Sequence, residues 1–286
     1  MNIEPARSAA GAAALAAASA YDAEAPETAH AVLPLADVQL ALFLDVDGCL
    51  VEFQPTPEDV KIDAPVLRLL ERLHAALGGA LAIISGRTLA DLDRLFAPLE
   101  LPCAGQYGLE RRSADGTVHG APLPDPAAIE SMRRESFALL RRMPGLLVED
   151  KGASIALHYR EAPQIAAEVA AAAAEIAAPL AGAYEVQAGS MVRELKPLTC
   201  DKGIALKLYC SEAPFRNRVP VFLGDDIADE PAFAAVNAVG GISVSVATTR
   251  PTLARYSLDS PAQVHEWLTA LLDTLRARQT PGERTR

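Results

Sequence analysis

Cysteine is scarce and poorly spaced for either a staple or a metal clip. The four residues Cys49, Cys103, Cys200 and Cys210 form no Cys-x-x-Cys pair and fall far short of a disulfide framework. A small secreted fold stapled by disulfides is therefore excluded, and these residues read as reduced cytosolic thiols, most of them buried. Positive charge is also in short supply. With 26 Lys and Arg against 37 Asp and Glu, the formal charge is −11. That balance argues against nucleic acid or an anionic membrane surface as partner. It also means that the overall field does not draw in an anionic substrate, so local cations must do so. Long apolar runs are absent: none approaches the roughly 20 residues that span a bilayer. What the chain does have is a hydrophobic half of its 286 residues, enough for one large domain or two small ones.

Residues 1–36 are alanine-rich, with scattered Glu, Pro and Ser. The stretch Ala9 to Ala20 has the length of a signal-peptide core, yet Glu4 and Arg7 precede it and it is built of alanine rather than leucine. The expectation is a disordered or loosely helical extension that is not an export signal and carries no chemistry.

The first strong element is the apolar run Leu40 to Leu44, a strand buried on both faces. It runs directly into Asp45-Val46-Asp47-Gly48. An extended chain would put both carboxylates on one side, and a break at the glycine would aim them into the crevice above the sheet edge. Two acids this close repel each other, so a metal ion, a shared proton or a phosphate with its cation must compensate. A loop with three prolines follows, Glu52 to Pro65, suited to a lid or a substrate-facing turn. Pro65 to Leu77 has helical periodicity and stops at Gly78-Gly79. Leu81 to Ile84 is a second buried strand, Thr88 to Phe96 a helix, and Leu101 to Ala104 a short third strand. This βαβαβ order predicts a doubly wound, Rossmann-like parallel sheet.

The pattern changes after Arg112. A helix over Ala127 to Met143, strands at Leu146–Glu149 and Ser154–Tyr159, a helix over Pro163 to Leu180, and strands at Tyr184–Gln187 and Met191–Leu195 make an inserted α+β unit with antiparallel strands. The expected organisation is a core over 37–112 and 196–278, an α+β cap domain over 113–195 with its hinge at Lys196-Pro197, and a polar tail over 279–286. In the returning core, Asp201 to Leu208 and Asp229 to Asn237 are helices. Pro220 to Leu223 and Gly241 to Val246 are strands, and Pro261 to Arg276 is a closing helix.

Four short motifs follow in order along the core: Asp45-Val46-Asp47-Gly48, Ser85-Gly86-Arg87, Lys202-Gly203 and Gly224-Asp225-Asp226. Singly they are weak. Ser-Gly-Arg is an ordinary βα turn, a lysine at a helix start is usually solvated, and an acidic run after a strand can be a helix cap. As a series they resemble the haloacid dehalogenase superfamily of phosphohydrolases. The segments Val148-Glu149-Asp150-Lys151-Gly152, Leu157-His158-Tyr159-Arg160 and Val192-Arg193-Glu194-Leu195-Lys196-Pro197 resemble one branch of it, trehalose-6-phosphate phosphatase.

Phosphate monoester hydrolysis needs a nucleophile, an acid for the leaving oxygen and cations for the phosphoryl charge. The resemblance implies Asp45 as the nucleophile forming an aspartyl phosphate, Asp47 as acid and then base, and Lys202 as the catalytic cation. Ser85, Gly86 and Arg87 bind phosphate. Magnesium is held by Asp45, the carbonyl of Asp47 and Asp225, with Asp226 orienting a metal-bound water. Glu149, Lys151, Arg160 and Glu194 hold the sugar hydroxyls of trehalose 6-phosphate, and His158 has no assigned role. Three positions depart from the family wording: Cys49 stands in place of Thr, Tyr107 where His is common, and Ala228 in place of Thr. The expected protein is a cytoplasmic, magnesium-dependent phosphatase. The alternatives left open are a capped phosphatase for another sugar or glycosyl phosphate, such as a sucrose or mannosylglycerate phosphate, and a non-catalytic phospho-acceptor module.

Overall fold

The run Leu40–Leu44 is a strand buried at every position, and it lies inside a nine-stranded sheet. The structure is a computed structural model that describes residues 27–28, 38–123 and 125–279. In chain order its strands and helices are β1 (Glu27–Thr28), β2 (Leu40–Leu44), α1 (Ala64–Ala76), β3 (Leu81–Ile84), α2 (Leu89–Phe96), β4 (Cys103–Gly105), β5 (Glu110–Arg112) and β6 (Val118–Gly120). Next come α3 (Pro126–Ala138), β7 (Leu147–Asp150), β8 (Ile155–His158), α4 (Ala166–Ala177), β9 (Tyr184–Gly189) and β10 (Val192–Pro197). The chain closes with α5 (Lys202–Ser211), β11 (Val219–Gly224), α6 (Glu230–Ala238), β12 (Ile242–Val246), β13 (Tyr256–Leu258) and α7 (Pro261–Gln279).

The large sheet has the order β1-β13-β12-β11-β2-β3-β4-β5-β6 and is parallel from β1 through β4. Helices cover it on both faces, which is why β2, β3 and β12 are buried at every position rather than alternating. The core joins Leu42, Phe43, Leu70, Leu92, Phe222, Phe233, Trp267 and Leu271. Because β2 lies between β11 and β3, three carboxyl ends from distant parts of the chain open side by side at one edge. Open α/β sheets bind ligands at that edge.

The second sheet is smaller, antiparallel throughout, with the order β7-β8-β10-β9. Period-2 alternation divides its side chains cleanly. Ile155, Leu157 and Leu195 turn away from the large sheet and pack with Met132, Leu139, Val169 and Ala173 of the helical layer. Glu149, His158 and Glu194 turn the other way and line a cleft over the large sheet. Glu149 and Glu194 both pair in register with Ala156, so the two carboxylates flank one small side chain.

Several expectations shift. The boundary at Arg112 falls within the large sheet, because β6 pairs antiparallel with β5 as a continuation of its edge. The hinge at Lys196-Pro197 lies inside β10, which stays paired with β9 through Pro197. The long helix expected over Ala127 to Met143 ends at Ala138, followed by a 3-10 turn at Leu139–Arg141. The one over Pro163 to Leu180 starts and finishes in 3-10 turns, with Pro163 and Pro179 near the two ends. Within the alanine-rich stretch, Glu27–Thr28 forms a strand beside β13 rather than a loose helix or disorder. The rest of that extension, residues 1–26 and 29–36, together with residue 37 and the tail over 280–286, lies outside the described residues.

Candidate active site

Asp45 follows β2 at the floor of the cleft and is 5% exposed. Lys202, the first residue of α5, donates to Asp45 Oδ2 at 2.8 Å and to Asp229 Oδ1 at 2.7 Å. A cation at the positive end of a helix is unfavourable, and here two carboxylates offset it. Asp229 is fully buried, and its other oxygen accepts from the backbone N–H groups of Asp225 and Asp226, each at 2.9 Å. One carboxylate thus fixes both the lysine and the strand end that carries Asp225. Burial pushes the Asp45 carboxyl up to about 7 despite Lys202. Burial, then Asp229 and Asp45, pushes Asp225 well above the usual carboxylate range. Burial alone would lower the Lys202 ammonium, but Asp229 and Asp45 outweigh it and hold it up.

Carboxylate oxygens of Asp45, Asp225 and Asp229 lie within 4.8 Å of one another. Oδ1 of Asp225 is buried and makes no hydrogen bond among the described residues. An orphaned anionic oxygen in an acid cluster that burial already strains is what a hard divalent cation would relieve. Because Asp229 spends its oxygens on Lys202 and two amides, Asp45 and Asp225 are the members with capacity for an ion. The approach is tight: a Cβ at Gly48, which has φ of 79°, would stand 2.3 Å from Asp225 Oδ2. Only glycine fits that turn.

Asp47 is gripped by Arg87, whose Nε and Nη2 donate to its two oxygens at 2.6 and 2.8 Å. Nη1 of Arg87 donates to the carbonyl of Pro57 at 3.1 Å, tying the proline-rich loop to the same fork. Arg87 therefore faces a carboxylate and a loop, so the phosphate-binding role expected for its guanidinium competes with the bond to Asp47. Ser85 is buried at the end of β3, and its Oγ accepts from the Arg87 N–H at 3.3 Å.

The opposite wall belongs to the smaller sheet. Lys151 Nζ donates to Gly86 O at 2.9 Å and to Glu194 Oε1 at 3.1 Å, with Glu149 Oε2 at 3.8 Å. Burial opposes the Lys151 charge, but Glu194 and Glu149 hold its ammonium above its ordinary value. Glu149 Oε2 also meets His158 Nε2 at 2.8 Å. Burial would raise the Glu149 carboxyl, yet the His158 hydrogen bond and Lys151 keep it below its ordinary value. Oε2 of Glu194 accepts from the Tyr107 hydroxyl at 2.7 Å, a bond to a charged acceptor of the kind worth about 1.5–3 kcal/mol. Burial and the Glu194 charge push the Tyr107 phenol well up, so it stays a donor. Arg160 stacks over Phe53 of the proline-rich loop at 4.6 Å and donates to Ser190 O at 3.1 Å.

All the expected residues converge on this cleft with their side chains or their backbone. Asp226 lines it too, but its carboxylate is committed elsewhere: one oxygen caps Ile227 N at 2.7 Å and the other accepts from Ser190 N at 2.6 Å in the smaller sheet. Helix-cap geometry turns it away from the acid cluster. Four residues carry structure at the site that the sequence did not assign: Asp229, Tyr107, His158 and Phe53. Asp229 had a signal, the third acid in Asp225-Asp226-Ile227-Ala228-Asp229. Tyr107 was marked only as a departure from the family wording and Phe53 not at all, since their partners, Glu194 and Arg160, belong to the segment that carries the smaller sheet. The cleft encloses about 820 Å3, counting the space open to solvent.

The trehalose-phosphatase family model matches residues 43–262, which contain every residue of the site. The trehalose-6-phosphate phosphatase of Escherichia coli strain K12 is 38% identical over 246 residues, covering 86% of this chain and 91% of that protein. A probable trehalose-phosphate phosphatase of Sinorhizobium fredii is 40% identical over 212 residues, covering 74% of this chain and 79% of that one. Among solved structures, the C-terminal domain of Candida albicans trehalose-6-phosphate phosphatase shares the fold, with a TM-score of 0.80 at 22% identity over 87% of this chain and 99% of that one. The Aspergillus fumigatus trehalose-6-phosphate phosphatase superposes with a TM-score of 0.60 at 27% identity over 88% of this chain and all of that one. Sequence similarity over most of both partners, together with the shared fold, shows that this chain belongs to the trehalose-phosphatase family.

Proposed function

We propose that the chain is a cytoplasmic, magnesium-dependent phosphatase that hydrolyses trehalose 6-phosphate to trehalose and phosphate. The observation that carries this reading is one cleft with two kinds of wall: a buried Asp45–Lys202 pair on the core side and the Glu149, Lys151 and Glu194 group on the other. The first suits the phosphoryl end of a substrate, the second a polyhydroxylated one. In this reading the segment carrying the smaller sheet is a cap over a core formed by the two halves of the large sheet. The four free thiols agree with a reducing compartment.

An oxygen of Asp45 attacks phosphorus, and the bond from phosphorus to the sugar oxygen breaks. Asp47 gives its proton to that oxygen, so trehalose leaves neutral and Asp45 carries the phosphoryl group. Asp47 then takes a proton from a water molecule that attacks the phosphorus, freeing phosphate and regenerating the Asp45 carboxylate. Lys202 lies against phosphoryl charge, and Asp229 keeps it aimed. Ser85 and the backbone of Gly86 present donors at the end of β3, while the Arg87 fork orients Asp47. Magnesium, held by Asp45, Asp225 and the Asp47 carbonyl, would neutralise charge on the phosphoryl oxygens. On the sugar side, buried carboxylates and a lysine reject a ligand that leaves them unpaired, which is how a disaccharide is told from a smaller sugar. Phosphate release from a panel of sugar phosphates, with and without magnesium, tests this. Preference for trehalose 6-phosphate over glucose 6-phosphate supports it, and equal turnover of the two refutes it.

A further inference from the structure

Tyr107 lies in the cleft but takes no part in the chemistry above. It belongs to the turn after β4, where Gln106, Tyr107 and Gly108 have φ of 45°, 60° and 98°. Left-handed backbone is unfavourable for a bulky aromatic residue and persists where the surroundings over-determine it. Both non-glycine side chains of the turn cross to the smaller sheet. Gln106 Oε1 lies 3.0 Å from Ser154 Oγ, and the Tyr107 hydroxyl donates to Glu194. The core packs closely against both the turn and the hydroxyl. A Cβ on Gly108 would stand 2.8 Å from Ala205 Cβ of α5, and one on Gly86 would stand 2.7 Å from Tyr107 Oη. On Glu194, Oε1 accepts from Lys151 and Ser154, both in the β7–β8 turn, while Oε2 accepts from Tyr107, which the core presents. Lys196, two residues on, sets its ammonium 5.6 Å from the centre of the Tyr107 ring.

We propose that Tyr107 is a positioning residue for sugar recognition. Its hydroxyl, presented by the large sheet, fixes the Glu194 carboxylate of the smaller sheet, so that this group meets the sugar in one orientation. The proposal rests on Glu194 binding sugar hydroxyls, as the proposed function has it. It adds a core residue to a specificity that otherwise belongs wholly to the smaller sheet.

Tyr107→Phe tests it, because the ring, the Cβ and the demand on the backbone are kept and one oxygen is removed. With trehalose 6-phosphate, KM should rise about tenfold at nearly unchanged kcat, equivalent to about 1.4 kcal/mol. Hydrolysis of p-nitrophenyl phosphate, which has no sugar, should stay within about twofold. In a Glu194→Ala background the same change should add less than about twofold, since the hydroxyl then has no carboxylate to hold. Parallel losses on both substrates would mark a merely structural role and overturn the proposal. So would trehalose 6-phosphate kinetics unchanged in Tyr107→Phe, or an undiminished effect without Glu194. If the parent enzyme itself does not prefer trehalose 6-phosphate to glucose 6-phosphate, the proposed function falls and this inference falls with it. If the parent does and the variant matches it, the inference falls alone.

Discussion

Asp229→Asn isolates the residue on which the floor of the site turns. The side chain is fully buried and makes three bonds: one from the Lys202 ammonium at 2.7 Å and two from the Asp225 and Asp226 amides at 2.9 Å. Asparagine keeps the shape. Its carbonyl oxygen can go on accepting from the two amides, but its NH2 group then faces the Lys202 ammonium, donor against donor. One charge-assisted bond is lost, worth about 1.5–3 kcal/mol. Lys202 is not stranded, because Asp45 remains at 2.8 Å. The cost therefore stays below the roughly 3–5 kcal/mol of a buried charge left with no partner. A loss of about 2–3 kcal/mol should lower Tm by roughly 4–12 °C for a chain of this size. Turnover should suffer more. Lys202, released on one side, would settle wholly on Asp45 and blunt the nucleophile, so kcat should fall about a hundredfold. Both trehalose 6-phosphate and p-nitrophenyl phosphate should be affected alike, since both use the phosphoryl floor. Thermal unfolding followed by circular dichroism, with phosphate release on the two substrates, measures both effects. A variant whose kcat stays within about twofold of the parent's on either substrate would refute the hub role of Asp229.

Asp45→Asn removes the attacking charge, and turnover should fall by at least about a thousandfold on every substrate, measured by phosphate release under single-turnover conditions. Asp47→Asn should slow trehalose 6-phosphate strongly and p-nitrophenyl phosphate less, because the nitrophenolate leaving group needs little protonation; equal losses would argue against an acid role. Lys151→Ala should cut kcat/KM for trehalose 6-phosphate by about ten- to a thousandfold, or roughly 1.4–4 kcal/mol, with little change for p-nitrophenyl phosphate. Chelation should abolish turnover and magnesium restore it. Magnesium should also raise Tm, because an ion that binds the folded acid cluster and not the unfolded chain stabilises by mass action.

One strand of the smaller sheet, β8, was legible because it alternates. In β8 the apolar side chains of Ile155 and Leu157 declare one face and leave Ala156 and His158 to the other. The edges of the large sheet were not legible. β5 is Glu110-Arg111-Arg112 and β6 is Val118-His119-Gly120, short and polar segments whose pairing comes from the neighbouring strand rather than from their own propensity. β1 and β13 escaped for the same reason, since strands of two and three residues leave no period to read.

The sequence by itself determined that Leu40–Leu44 and Leu81–Ile84 are strands buried on both faces, and that Asp45 and Ser85 stand at their carboxyl ends. It determined too that Glu149 and Glu194 are charges on an antiparallel sheet, while their role came from the family resemblance. These are local consequences of hydrophobic period and of where a run stops. Tertiary structure alone decided who meets whom. Asp47 finds Arg87 across 40 residues, Lys202 finds Asp229 across 27, and Tyr107 finds Glu194 across 87. None of these partners is written into the residues beside it. Each pair exists because strand order brings distant chain ends to one edge, and because a buried charge or hydroxyl must take the partner that the packing supplies.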